Sequence, residues 1–228
     1  FLIRELGMTM DGSIHHDNGK MQIQRLRHKF ESLPSSYASV AFKVIDGTDF
    51  KCFPHVKIAG CPAKLLQGHN VYGSDNAELC LFSLMEAFTL AFPELSTVLH
   101  WEHATVDYID VTYTAHCESP EQAQQCLDAL RNLNYGQTRV SSDHKQFKTT
   151  IYFNKGSEHR ELKVYLKDPE LDTQIQKLTR RWVNEKYDYL AYQLEQITKP
   201  EIREWASTAL RFEARLHSRW LKANGVPC

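Results

Sequence analysis

Several features are scarce in or missing from these 228 residues, and each absence narrows the field. No apolar run comes near the ~20 residues that span a bilayer, and no signal-peptide pattern opens the chain, so no membrane association is expected. Charge of one sign is not in excess: 27 Lys and Arg against 28 Asp and Glu leave a formal charge of −1. A chain coated in positive potential is therefore excluded, and any contact with nucleic acid has to come from local clusters. Cysteines stand at 52, 61, 80, 117, 126 and 228, with no C-x-x-C pair and no regular spacing. In a chain of this size they read as free thiols of a reducing compartment, several of them in the core. Repeats and low-complexity linkers are also lacking, which points to one domain over 1–228.

What is present is ordinary globular material, 42% apolar and 24% charged. Residues 1–18 are irregular and polar, with His15-His16 in a turn. Tyr37 to Ile45 and Phe53 to Ile58 read as partner strands, so residues 20–58 form an antiparallel unit. Pro62 suits the first turn of a short helix that Gly68 stops. Asp75 with Glu78 looks like a capping box. The helix it opens is apolar around nearly its whole circumference to Phe92, so deep burial is expected. Thr105–Thr114 is a further strand. Ser119-Pro120 with Gln122 starts a helix whose Ala123, Cys126, Leu127 and Leu130 form a stripe. Strands at 147–153 and 162–167 complete a β-α-β-β run. A helix from Asp168-Pro169 turns Leu171, Ile175, Leu178 and Trp182 inward, and Lys199-Pro200 opens another through Trp205. The fold class that follows is α+β: an antiparallel sheet with helices packed on it.

Three of these strands carry unusual polar groups. In Glu161–Lys167 the apolar residues Leu162, Val164 and Leu166 alternate with Lys163, Tyr165 and Lys167, the period of a strand with one buried face. Leu210–Leu216 alternates likewise, leaving Arg211, Glu213 and Arg215 on its polar face, and Thr105–Thr114 sets Asp110 beside Thr112. If the three pair in one sheet, two carboxylates, a tyrosine and several cations share a surface. Carboxylates suit Mg²⁺ or Mn²⁺, such an ion polarises a phosphodiester, and lysines beside a phenol favour the phenolate as nucleophile. The bland alternative is cross-strand ion pairing on a wet sheet.

Certain runs carry a resemblance. Phe30-Glu31-Ser32-Leu33-Pro34, Ala41-Phe42-Lys43 and Pro62 through Gly73, with its Leu-Gln-Gly-His-Asn stretch, are similar to the gene II replication initiators of filamentous bacteriophages. So are Ile109-Asp110, Leu130-Arg131-Asn132, Gly136-Gln137-Thr138, Val164-Tyr165-Leu166-Lys167 and Arg211 through Arg215. The resemblance covers almost everything from about residue 30 onward and concerns the N-terminal endonuclease part of that family. It implies an HUH-like rolling-circle endonuclease that nicks the plus strand at the replication origin of replicative-form DNA. Tyr165 would attack, with Lys167 beside it, giving a 5′-phosphotyrosyl intermediate and a 3′-hydroxyl primer. Mg²⁺ (or Mn²⁺) would be held by Asp110 and Glu213 with His69 as third ligand, and Lys163, Arg211, Arg215, Arg180 and Arg181 would contact DNA. Tyr189 or Tyr192 could serve a second cleavage. The implied partners are the origin DNA, a host helicase and replication machinery, and a homo-oligomer on DNA, in the cytoplasm of the bacterial host. Two departures stand out: Tyr108 occupies the place where the pattern suggests arginine, and no His-x-His pair lies on a strand. The rival expectations are a non-catalytic origin or single-strand DNA-binding module, in which Tyr108, Tyr113 and Tyr152 stack bases, and a metal-dependent nuclease using water.

Overall fold

Period-two alternation and well-marked helix starts give most of the elements their places. The computed structural model describes residues 14–17, 20–23, 31–32, 40–45, 54–133, 140, 148–186 and 188–226. Chain contacts divide it into two compact units, 1–99 with 186–193, and 100–185 with 194–228.

Among the described residues of the first unit, β1 (Ile14–Asp17) pairs antiparallel with β2 (Lys20–Ile23). His15 and His16 thus lie in a strand rather than in the turn expected of them. A three-stranded antiparallel sheet follows in the order β3 (Glu31–Ser32), β4 (Val40–Ile45), β5 (His55–Gly60). The short helix α1 (Pro62–Gln67) starts at its proline and stops at Gly68, whose φ of 81° is the left-handed conformation glycine adopts cheaply. Helix α2 (Ala77–Ala91) is capped by Asn76, whose side chain accepts from Leu79 N–H, and not by Asp75. Asn and Asp cap about equally well, so the nearer of two good caps took the role. Deep burial of α2 is not observed: Phe82 and Leu90 are each 61% exposed, and the inward stripe is Ser83, Ala87 and Phe88. The rings of Phe88, Phe92 and Phe42 meet at 4.8–5.8 Å between centroids, and this aromatic contact joins α2 to β4. Helix α3 (Pro93–Thr97) ends the stretch.

The second unit is built on one four-stranded antiparallel sheet. After a 3₁₀ turn (Trp101–His103) come β6 (Tyr108–His116), α4 (Pro120–Arg131), β7 (Thr150–Phe153) and β8 (Arg160–Leu166). Then follow α5 (Lys167–Glu185), α6 (Asp188–Ile197), which continues out of the first unit, α7 (Pro200–Ser207), β9 (Ala209–His217) and α8 (Ser218–Ala223). The sheet order is β6-β9-β8-β7, so the β-α-β-β run is present and β9 inserts between its members. Ser119 caps α4 as expected, accepting from Gln122 N–H at 3.2 Å. Of its stripe, Ala123 and Leu127 are buried, but Cys126 is exposed. Leu127 packs with Ile151, Phe153, Val164 and Leu210, and these close one face of the sheet. Leu127→Ala is expected to cost roughly 2–5 kcal/mol, measured by denaturant unfolding; a loss under about 1 kcal/mol would mean this core is not what holds the sheet.

Helix α5 starts at Lys167, directly after β8, with no intervening loop. Leu171, in the first turns of the 19-residue helix, is fully buried, whereas Trp182, expected inward and three residues from its end, is 43% exposed. Among the described residues Cys61, Cys80, Cys117 and Cys126 are free and none is fully buried, so they are not core residues. No described helix is long and apolar enough to cross a membrane. The expected helix stop at Tyr135-Gly136-Gln137, together with Tyr37, Phe147 and Tyr187, falls outside the described residues.

Candidate active site

Registration of the four-stranded sheet brings the three polar strand faces together. Asp110 lies opposite Arg215 and Thr112 opposite Glu213 across β6 and β9; Lys163 lies opposite Glu213 and Tyr165 opposite Arg211 across β8 and β9. Side chains paired across an antiparallel ladder point to the same side. Asp110, Glu213 and Tyr165 therefore occupy the face opposite the Leu127 core.

Specific contacts tie the face together. The Tyr165 hydroxyl donates to Glu213 Oε2 at 3.1 Å, and Lys163 Nζ sits 3.9 Å from the other carboxylate oxygen. The same ammonium lies 4.1 Å from the centre of the Tyr165 ring, a cation–π distance. Arg215 grips Asp110 with two bonds of 2.8 Å, the fork geometry guanidinium shares with carboxylates and phosphates. Its guanidinium also lies 4.5 Å from the Tyr108 ring.

Tyr165 itself is only 3% exposed. Burial, then the negative charge of Glu213 and of Glu170, holds its phenol well above the ordinary tyrosine range, while Arg211 pulls the other way. At rest it is a protonated donor. Because the folded-state value is raised, the stabilisation linked to this group is fully present below the unfolded pKa of about 10 and is lost as pH rises through the folded value. Wild-type protein is thus expected to lose stability above about pH 10, and Tyr165→Phe to lose less there. Parallel alkaline unfolding curves would show the phenol is not held this way.

The remaining expected residues distribute unevenly. Lys167 leaves the strand face: it is the first residue of α5, 0% exposed, paired with Glu170 at 2.6 Å, with Nζ 5.9 Å from the Tyr165 ring centre. The alternation that promised it a place beside Lys163 ends at Leu166, where the chain turns helical. Arg211 is on the face but buried, with its guanidinium 6.0 Å from the Trp205 ring. Arg180 and Arg181 are not brought to the site; they lie about 20 Å along α5 from its start at 1.5 Å per residue. His69 belongs to the first unit, where it is buried and its Nδ1 accepts from Val71 N–H at 3.3 Å. Tyr189 and Tyr192 are on α6, and Tyr192 is 46% exposed.

Among the described residues no group of three His, Cys, Asp or Glu side chains is placed to hold a metal ion. Mg²⁺ is ordinarily held by one or two carboxylates plus substrate phosphates and water. Asp110 and Glu213, two registers apart on one face, are carboxylates of that donor type, with the Asp110 oxygens held by Arg215 and those of Glu213 facing Tyr165 and Lys163. Sequence reasoning missed Tyr108 and Arg215 as a stacked pair; their direct opposition to His217 and Asp110 depends on a register that a single strand does not reveal.

Over residues 5–227 the chain matches a family described as the N-terminal part of the replication-associated protein of filamentous phages, the gene II product. It is 38% identical over 213 residues to the replication-associated protein of Enterobacteria phage fd, covering 93% of this chain and 52% of that protein. With the corresponding protein of Salmonella phage IKe it shares 38% over 211 residues, 92% of this chain and 49% of the relative. The replication-associated protein of Enterobacteria phage I2-2 is more distant, at 25% over 230 residues. The chain spans about half the length of the curated relatives it matches. No solved structure matches it. The chain belongs to the gene II family of replication-associated proteins of filamentous phages, as its N-terminal part.

Proposed function

We propose that this chain is the nicking and joining part of a rolling-circle replication initiator, with Tyr165 as nucleophile. The observation that carries the reading is the Tyr165–Glu213 hydrogen bond on a face shared with Asp110, in a member of a replication-associated family. The phenolic oxygen attacks a plus-strand phosphorus, an O–P bond forms to the protein, and the P–O3′ bond breaks. The departing oxygen takes up a proton and becomes the 3′-hydroxyl that primes synthesis. Glu213 Oε2 already holds the phenolic hydrogen and is placed to accept that proton as attack begins. Lys163 over the ring stabilises the negative charge the oxygen acquires. Because one phosphodiester replaces another, the reverse attack by a 3′-hydroxyl rejoins DNA without ATP.

Asp110 and Glu213 would hold Mg²⁺ or Mn²⁺, which when bound supplies Lewis-acid polarisation of the phosphate. The substrate would be origin DNA of the phage in its bacterial host. The experiment is incubation with supercoiled origin DNA and Mg²⁺. Relaxed circles carrying protein on the 5′ end support the reading; free 5′ ends indicate a water-using nuclease. Binding without any cut indicates the single-strand platform, a reading favoured by the exposure of Tyr108 beside Arg215.

A further inference from the structure

A cleft of about 450 Å³ opens at the end of the polar face nearest the β7–β8 turn, lined by Gly156, Glu158, Glu161, Arg215, His217 and Arg219 among others. It is large enough for a small organic ligand, and it shares Arg215 with the candidate active face. Glu161 lies opposite Arg215 in the β8–β9 ladder, and its Oε2 accepts from Gly156 N–H at 2.6 Å. Gly156 has φ of 79°, so the turn that delivers this N–H favours glycine. Arg219 pairs with Glu158 at 2.6 Å, both side chains well exposed.

The charge arrangement decides the ligand class. A phosphate site needs cations left uncompensated, whereas here each of the two arginines has a carboxylate beside it. A neutral group offering both acceptors and donors suits such a cleft better. Arginine presents five N–H groups, and the Asp110 fork engages two of them on Arg215. A carboxylate accepts at about four lone-pair sites, so the Gly156 bond leaves Glu161 with acceptor capacity. The Arg219–Glu158 pair, exposed as it is, is worth about 0–1 kcal/mol and exchanges readily. Guanine supplies the complement: O6 and N7 are adjacent acceptors that match an arginine fork, and N1–H with the 2-amino group are adjacent donors that match a carboxylate. Its Watson–Crick edge is available only when the base is unpaired. His217 and Tyr108, with ring centres 6.2 Å apart, flank Arg215 with aromatic surface.

We infer that this cleft is a base-reading subsite for an unpaired guanine flanking the cleavage position. The inference rests on the reading of the adjacent face as a DNA-cleaving site and names what holds the strand in register there. Glu161 is four residues from Tyr165 along β8, about 13 Å at strand spacing, so the base read is not the one joined to the scissile phosphate.

The test is fluorescence anisotropy with the whole chain in EDTA, using a labelled oligothymidylate octamer and the same octamer with one central guanine. The guanine octamer is expected to bind about tenfold more tightly, the effect of one good bidentate contact. Replacing that guanine by 7-deazaguanine or by hypoxanthine, which lacks the 2-amino group, should remove most of the gain. Glu161→Gln and Arg219→Ala should each reduce the ratio of guanine-octamer to oligothymidylate affinity, the ratio cancelling the effect of the altered charge on binding to the phosphates. Equal affinity for both octamers overturns the inference, and so does a preference that survives both variants; should a variant fail to fold, the base analogues on wild-type protein still decide. The preference should persist in Tyr165→Phe. If that variant nicks normally the nucleophile reading falls while the subsite stands.

Discussion

Tyr165→Phe is expected to abolish the covalent protein–DNA species and to lower single-turnover nicking by about 10⁴-fold or more, since in the proposed reaction it removes the atom that bonds to phosphorus. The change takes away one hydroxyl from a ring that is almost wholly covered, and the hydrogen bond it deletes ends on Glu213, which keeps Lys163 beside it. The fold should therefore survive, with a thermal midpoint close to wild type. Denaturing gels after incubation with radiolabelled origin DNA and Mg²⁺ give the result directly. A retained adduct would move the nucleophile elsewhere, with Tyr189 and Tyr192 as the next substitutions to make. Loss of the adduct with nicking retained would indicate attack by water.

Glu213→Gln is the second large effect. It preserves size and still offers a carbonyl oxygen to the phenol, but removes the charge next to Tyr165 and one of the two candidate metal oxygens. Nicking is expected to fall about 10²- to 10⁴-fold, the range associated with a positioned proton acceptor. Oligonucleotide binding in EDTA should change little, because the charge removed is negative and is already compensated by Lys163. The same substitution relieves one cause of the raised phenol pKa, so it should also diminish the loss of stability above about pH 10. A variant that nicks at the wild-type rate would exclude both roles for Glu213.

How far the sequence foretold this arrangement can be seen residue by residue. The alternation in Leu162–Leu166 and Leu210–Leu216 was strong because each strand has one face against Leu127 and its neighbours, so the polar faces could be read by subtraction. Ser119-Pro120 was legible for a local reason, as capping needs only residues within one turn. What failed was non-local. Nothing in α2 says which of its apolar sides meets Phe42 of β4, and most of the others remain exposed. The end of the alternation at Leu166 was hidden because lysine is acceptable in a strand or at the start of a helix, and the burial of Lys167 depends on packing around α5.

The abrupt passage from β8 into α5 has a consequence for where mechanical work is done. Tyr165 is one residue from the end of a strand laddered on both sides, to Thr150 of β7 and Arg211 of β9, and the next residue but one is already helical. A side chain mounted on such a joint cannot swing out to meet a phosphate embedded in a straight duplex. In the proposed reaction the distortion must then fall on the nucleic acid, which has to unstack or bend towards a stationary phenol at a cost of roughly a few kcal/mol. Negative supercoiling would supply that energy in advance, so relaxed origin circles should be poorer substrates than supercoiled ones even though every contact with the protein is the same.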